Sequence, residues 1–550
     1  MRFGFLEKHL QNPRWVAPLT VLPLAAAFPP LELRWLAWVA LVPLLVLLRQ
    51  AETASSSTTS ATVRDWFAVG WGMGFLLSGF QYFWLFHTMV ELGGIPIWRF
   101  VPFFLFLVAL LGVVPGIVLA WARWLWLRHQ LTPLITTPIL WSIGDWLQAT
   151  IPFGGMPWGS LATSQTEALA AGWVAPIFGG SGLTLLILLV NGGWAWTWIN
   201  WRRGTGTFSC ECARPDWMGS LMMVMVTLVL VPGWQSSSTT PGTTASIPTP
   251  SFAALLVPGN RPVTGEPNTA AGIRHYLGRT LVALNPPDNQ DLLQLAIWPE
   301  AAVTGFVSDG SHLQELAEFA ALTNTAILLG SDAIGEVENA SNPQPTEPPK
   351  LYNSAYLIAG KSDTDAHIRR YDKRHLVPFG EYLPKGLGWM IGAKLTRGDQ
   401  DYAQGANPPV INWQGRNLGV AICFESLQPA HMANLASTGG EVIVAIANDQ
   451  WLSGSAKIQH LNGTALRGLE IDREILFVSN GGPTAHLRDG KIVGATQPDG
   501  SPIWSHPNAN QRQTYWVRWG GWGLFGLWVI SGLIAWGVSR YRFPTTNRFF

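Results

Sequence analysis

"GVAICFES", residues 419–426, runs four apolar or small residues into a thiol and follows it with an aromatic and a carboxylate. An apolar run this short, bounded by polar residues, reads as a buried strand. The same pattern recurs in "FAALLVPG" (252–259), "LLQLAIWP" (292–299), "AILLGSD" (326–332), "YNSAYLIAG" (352–360), "EVIVAIAN" (441–448) and "ILFVSN" (475–480). Between these runs, "HLQELAEFAALTN" (312–324) and "AKIQHLNGTALRGLEIDRE" (456–474) have helical periodicity. Strand and helix in alternation predict an α/β domain over about 252–505, long enough to bury a full core.

The rest of the chain is of another kind. Hydrophobic residues make up 48% of the 550 and charged residues 13%, about half the charge of ordinary soluble proteins. Tryptophan, enriched where membrane meets water, occurs 30 times. Apolar runs near 15–31, 34–49, 66–90, 98–122, 132–149, 172–200, 216–233 and 520–540 approach or exceed the roughly 20 residues that cross a bilayer. They predict an α-helical transmembrane bundle of about eight spans. The expected organisation is a seven-span membrane domain (1–233), a linker (234–251), an extramembrane domain (252–510), a C-terminal transmembrane helix (517–540) and a short tail (541–550).

Loop charge sets the sidedness. With the N-terminus in the cytoplasm, inside segments carry Arg2, Lys8, Arg14, Arg49, Arg64, Arg123, Arg128, Arg202, Arg203, Arg214, Arg540, Arg542 and Arg548, and the short outside loops only Arg34 and Arg99. That bias puts 234–518 outside the cytoplasm. "PLAAAFPP" (23–30) offers a signal-peptide cleavage point whose use would leave this sidedness unchanged. A formal net charge of +1 gives no basic field to hold nucleic acid.

Cysteine usage then becomes informative. Cys210 and Cys212 fall on the cytoplasmic side, and their "CEC" spacing has no second Cys or His pair to complete a metal site. Cys423 stands alone in the extracytoplasmic domain, either buried and inert or kept for its reactivity. Ionisable residues in three stretches favour the second reading. Glu300 ends "AIWPE", Lys373 and Glu381 flank the Pro–Gly break in "RRYDKRHLVPFGEYLP" (369–384), and Glu425 follows the thiol by two residues. Each lies where an apolar strand gives out, which is where ligand sites collect in α/β sheets. A thiol with a cation and a base beside it is an activated nucleophile.

"WPE", "YDKRHLVPFGEYLP" and "GVAICFES", in that order, resemble the Glu–Lys–Cys motifs of the nitrilase (carbon–nitrogen hydrolase) superfamily. With the eight spans, "FHTMVELGGIP" (86–96), "GGMPWGSLATSQ" (154–165), "LTRGDQDYAQG" (395–405) and "AIANDQWLSGSAKIQHLNGTALRGLEIDRE" (445–474) resemble its apolipoprotein N-acyltransferase branch nearly end to end. The resemblance implies a nitrilase-like αββα sandwich, with Glu300 as general base, Lys373 as oxyanion stabiliser and Cys423 as nucleophile. Glu381 and Glu425 would be supporting carboxylates, with no cofactor and no metal. It also implies a ping-pong reaction. An acyl chain from a membrane phospholipid passes through a Cys423 thioester to the α-amino group of an apolipoprotein's diacylglyceryl-cysteine. The enzyme would be a monomer in the bacterial inner membrane, its catalytic domain facing the periplasm.

Two departures stand out. Phe424 occupies the position where the family often has Tyr, and "VPGNRPVTGEPNT" (257–269) lacks a tryptophan several members carry there. Two rival readings are a membrane-anchored amidase or nitrilase acting on small C–N substrates, and a catalytically inactive binding protein. Several residues have plainer expectations. His375 reads as a hydrogen-bonded loop or core residue, and Asn353 as a backbone cap or cross-link. Arg467, Glu470 and Arg473, at helical spacing, read as charges solvated or paired on a helix face. Glu336 and Glu338 read as part of an exposed loop, a candidate lid. His87 and Asp145 lie at membrane depth, where a functional site and an interfacial position are both open.

Overall fold

The computed structural model describes residues 13–50, 62–151, 154–202, 252–262, 268–284, 293–335, 349–359, 368–386, 400–406, 408–497 and 499–540. The expected span at 216–233, the linker, Cys210, Cys212, Glu336 and Glu338 lie outside these residues. The chain divides into two compact units, one of Met1–Phe83, Pro102–Gln235 and Trp519–Phe550, the other of Trp84–Val101 and Ser236–Arg518.

The first unit is helical. Two helices among the described residues are long and apolar enough to cross a membrane, Ile97–His129 and Ala171–Ile199, and Gly521–Gly537 is a shorter apolar one. The run at 34–49 departs from a continuous span: it breaks into a 3-10 turn, Arg34–Trp38, and a nine-residue helix, Val42–Gln50. Nine residues rise only about 14 Å, less than half the hydrocarbon thickness. The run at 66–90 starts earlier and ends earlier, as Val63–Tyr82, because Thr62 and Asp65 form a reciprocal capping box at its N-terminus. Asp145 sits on the apolar helix Pro133–Gln148, and its Oδ2 accepts from Ser160 and Ser181 at 3.1 Å and from Thr184 at 3.3 Å. Hydroxyls from two neighbouring segments thus solvate a carboxylate that would otherwise be costly there.

The second unit is an α/β sandwich. One sheet runs in the order β13 (Ile503–Ser505), β1 (Ala253–Leu256), β2 (Gln294–Ile297), β4 (Thr325–Ile334), β5 (Leu351–Ile358), β6 (Ile368–Asp372), with β3 (Val303–Phe306) also pairing β4. The other runs in the order β12 (Lys491–Ala495), β11 (Ala485–Arg488), β10 (Ile475–Asn480), β9 (Val442–Asn448), β8 (Arg416–Ile422), β7 (Val410–Trp413). The strands that position the site are β1, β2, β4, β5 and β6 in the first sheet. In the second they are β8, β9 and β10. Strands β1, β2 and β4 run parallel, as do β8, β9 and β10.

Period-2 alternation sends each apolar run to two cores. Leu418, Val420 and Ile422 of β8 and Val442, Val444 and Ile446 of β9 meet Leu295, Ile297 and Leu328 of the other sheet. Ile443, Ala445 and Ala447 face the opposite way, against helices Pro429–Ser437 and Ser455–Ile471. Helices Thr269–Ala283 and His312–Thr323 cover the outer face of the first sheet. Four layers result: helix, sheet, sheet, helix.

Helix Ser455–Ile471 is buried along most of its length, which changes the expectation for its charges. Arg467 and Glu470 pair at 2.9 Å with both side chains buried. Arg473 leaves the helix and donates to the carbonyls of Gly440 and Arg512 at 2.7 and 2.6 Å. Glu474 next to it accepts from His486, Arg488 and Asn508, so this corner anchors the segment after β13. Burial alone would raise the Glu474 carboxyl, but hydrogen bonds from His486 and then Arg488 hold it down at about 2. The fold therefore favours the ionised form: its stabilisation is full above the ordinary carboxylate value of 4.5 and is lost as pH falls toward about 2. Between pH 6 and pH 3, thermal unfolding in detergent is expected to show a smaller drop in Tm for Glu474→Gln than for the parent protein.

Candidate active site

The chemistry-bearing residues gather where the parallel strands end. β2 stops at Ile297, and Trp298 and Pro299 carry the chain to Glu300. The backbone is held beside β4 by Trp298 N–H on the Leu328 carbonyl (2.8 Å) and Gly330 N–H on the Pro299 carbonyl (3.2 Å). Gly330 is required by this approach: a Cβ there would stand 2.6 Å from Glu300 Cα. Ala301 directly afterwards takes φ +51°, a left-handed turn that stops the strand from continuing past the carboxylate.

Lys373 follows β6 directly. Its N–H donates to the Asn353 carbonyl at 2.8 Å, and its own carbonyl accepts from Gly405 at 2.8 Å. The ammonium lies 2.9 Å from Glu381 Oε1 and 3.5 Å from Glu300 Oε1, with all three side chains buried. Asn353, expected to serve the backbone, does something else: its Nδ2 donates to Glu300 Oε1 at 2.7 Å and to Glu381 Oε1 at 2.9 Å. It occupies β5, whose antiparallel pairing brings its start beside the end of β4, so sheet topology delivers it to the carboxylates. That placement depends on a partner strand, which the local sequence "YNSAY" does not specify.

Two carboxylates and one ammonium in a dry site leave an excess negative charge. Burial raises the Glu300 carboxyl above its ordinary value; Lys373 opposes this, and Glu381 adds to it. Burial alone would lower Lys373, but Glu381 and then Glu300 more than reverse that and secure it as ammonium. A backbone hydrogen bond from Asn448, at the end of β9, reaches Glu300 from the second sheet.

Cys423 closes β8 and opens the 3-10 turn Cys423–Leu427, at φ +54°. A non-glycine residue in that region carries strain of order 1–3 kcal/mol, which surrounding structure must hold in place. Burial pushes the thiol well above its ordinary value, the Glu300 charge adds to this and Lys373 opposes it. These effects together favour the thiol over the thiolate, and the side chain packs against the inter-sheet core.

Glu425 lies off the lysine. Its Oε1 accepts from the Tyr371 hydroxyl (2.9 Å) and from the Arg374 and His375 N–H groups (2.7 and 3.0 Å); its Oε2 accepts from Ile422 N–H (2.9 Å). It therefore ties the Lys373 loop of one sheet to the Cys423 turn of the other. Tyr371 is kept a phenol by burial and then by Glu425. His375 is half-buried and packs edge-on against His431, 5.1 Å between ring centroids, in a structural setting. His87 pairs with Glu91 on the turn His87–Leu92, where Thr88 donates to the Trp451 carbonyl at 2.6 Å. No group of three or more His, Cys, Asp or Glu side chains suited to a metal ion occurs among the described residues.

Sequence reasoning gave Asn353 a backbone role instead and missed Tyr371 and a buried Asp449–His460–Ser426 cluster. Asp449 could have been found: it follows the apolar run of β9 as Glu300 follows β2.

Residues 22–193 match the family model for the apolipoprotein N-acyltransferase N-terminal domain, and residues 273–473 match that for carbon–nitrogen hydrolase. An apolipoprotein N-acyltransferase from Vibrio parahaemolyticus is 26% identical over 500 residues, covering 87% of this chain and 89% of its own. One from Ralstonia nicotianae is 28% identical over 505 residues, covering 88% and 86%. The chain is thus similar to named apolipoprotein N-acyltransferases over most of its length. Among solved structures, an amidase from Nesterenkonia sp. covers 52% of this chain and 98% of its own, at 17% identity and a TM-score of 0.33. The family match spans both units: the helical one through the N-terminal domain, the sandwich through the carbon–nitrogen hydrolase domain.

Proposed function

We propose that this chain transfers a fatty acyl group from a membrane phospholipid to the α-amino group of the diacylglyceryl-cysteine that begins an apolipoprotein. The observation that carries this reading is the buried Glu300–Lys373–Glu381 group beside a strained cysteine at the end of β8, in a chain similar to named apolipoprotein N-acyltransferases over most of its length.

Glu300 takes the proton from Cys423 Sγ as the sulfur attacks the ester carbonyl of the phospholipid. The C–O bond breaks, the proton passes to the departing alkoxide, and lysophospholipid leaves an acyl thioester on Cys423. The acceptor amine then attacks the thioester, Glu300 removes its proton, and the C–S bond breaks to give an amide. The proton returns to the sulfur. Lys373 is aimed at the negative oxygen that forms in both steps, the kind of preorganised charge that often dominates acyl transfer. Glu381, on the same ammonium, orients it.

Both substrates are lipid-anchored, so a membrane-fused site confines donor and acceptor to one surface and lowers the entropic cost of bringing them together. The long apolar helices Ile97–His129 and Ala171–Ile199 support the membrane anchor. The eight-span count, monomeric state, inner-membrane location and periplasmic face belong to this proposal and rest on the hydropathy and loop charges of the sequence.

The test is a vesicle assay with phospholipid labelled in its acyl chain and a diacylglyceryl-cysteine peptide. Label is expected in an amide on the peptide, with one lysophospholipid formed per amide. Label released only as free fatty acid, whether or not peptide is present, would instead point to a hydrolase.

A further inference from the structure

Beneath the nucleophile lies a polar chain that the two transfer steps do not use. Asp449 Oδ1 sits 2.7 Å from His460 Nδ1, and Asp449 Oδ2 accepts from Ser479 at 2.9 Å. The other ring nitrogen, Nε2, lies 3.1 Å from Ser426 Oγ and 3.3 Å from the carbonyl oxygen of Cys423. Ser426 donates to that same carbonyl at 2.9 Å and shares a 2.8 Å contact with Thr464. Asp449, Ser426 and Thr464 are fully buried and His460 nearly so. Ser426 is therefore closed off as a nucleophile, despite its place in a Ser–His–Asp series.

What the chain holds is one peptide plane. In a trans peptide the C=O and the following N–H point in opposite directions. Anchoring the Cys423 carbonyl toward Ser426 and His460 turns the Phe424 N–H the other way. That N–H is among the first of the 3-10 turn, which supplies it no partner. The left-handed φ of Cys423 is the conformation this anchoring must maintain against its intrinsic cost.

We propose that Asp449, His460 and Ser426 are positioning residues that fix the Cys423–Phe424 peptide, so that the Phe424 N–H serves the oxyanion formed on acylation of Cys423. Asp449 orients the imidazole, the imidazole and Thr464 orient the Ser426 hydroxyl, and Ser426 holds the carbonyl. Neither Asp449 nor His460 touches substrate. The inference rests on the acyl-transfer reading above.

The test separates two reactions of the same sulfur. Acylation by phospholipid builds an oxyanion; alkylation by iodoacetamide does not. Ser426→Ala and Asp449→Asn are prepared in the full-length protein in detergent, and the rates of Cys423 acylation and alkylation are measured beside the parent. Removing an oxyanion donor outright costs about 10²–10³ in rate. A loosened one is expected to slow acylation about tenfold to a hundredfold in each variant, through kcat with KM unchanged. Alkylation is expected to stay within about twofold. Equal slowing of both reactions would mean that the cluster supports only the fold or the thiol, and overturns the proposal. Unchanged acylation in Ser426→Ala also overturns it. If the parent protein is alkylated but never acylated, the transfer reading itself has failed.

Discussion

Cys423→Ala is expected to leave a folded protein with no acyl transfer above background. In the proposed mechanism the sulfur carries the acyl chain between donor and acceptor, so no partial mechanism survives its loss. Alanine is smaller than cysteine and accepts the same backbone, strained at φ +54° in either case, and the Glu425 and Ser426 hydrogen bonds that hold the turn do not involve Sγ. Unfolding temperature should therefore change by only a few degrees while turnover disappears. Transfer that persisted in this variant would require another acyl carrier and would remove the mechanism.

Glu300→Gln should be nearly as severe. The surroundings of Cys423 favour the protonated thiol, so attack requires a base within the site, and general-base contributions are typically 10²–10⁴-fold. Glutamine can still accept from Asn353 but cannot take a proton. Acylation is expected to fall by about that factor, and alkylation by iodoacetamide should slow as well, which distinguishes loss of the base from loss of oxyanion support. The pH dependence has a definite sign. Burial raises the Glu300 carboxyl, with Lys373 opposing, so the ionised base is lost on acidification at a pH above the ordinary 4.5. The acid limb of kcat/KM should lie above that value.

The α/β character of the domain was legible because its strands are buried on both faces, whereas its two-sheet form was expected only from the family resemblance. Runs such as "EVIVAIAN" can satisfy two cores at once only in a covered sheet, and the sequence carries that requirement locally. Glu300, Lys373 and Cys423 were legible for a related reason, since each breaks an apolar run at the place where strands end. Asn353 was not, because its role depends on β5 lying antiparallel beside β4. Neither was the state of the thiol. A lysine nearby suggests a depressed value, yet burial and Glu300 oppose it, and only the packing shows which prevails.

The charges of helix Ser455–Ile471 teach a similar lesson. Helical spacing of Arg467 and Glu470 suggests a solvated face, but the helix is covered, so the pair is buried at 2.9 Å. Hydropathy alone also overstated the run at 34–49. Its residues are apolar between Arg34 and Arg49, but the chain turns at Arg34–Trp38 before a short helix begins, which a sliding average does not register.

The central claim is that Cys423 carries a fatty acyl chain between two lipids. Mass spectrometry of the purified protein after exposure to phospholipid, without acceptor, tests it most directly. The predicted result is a mass increase of one fatty acyl chain, mapped to the peptide containing Cys423, released by hydroxylamine and lost when the acceptor peptide is added. An unmodified Cys423 under conditions where amide product forms on adding acceptor would contradict the account.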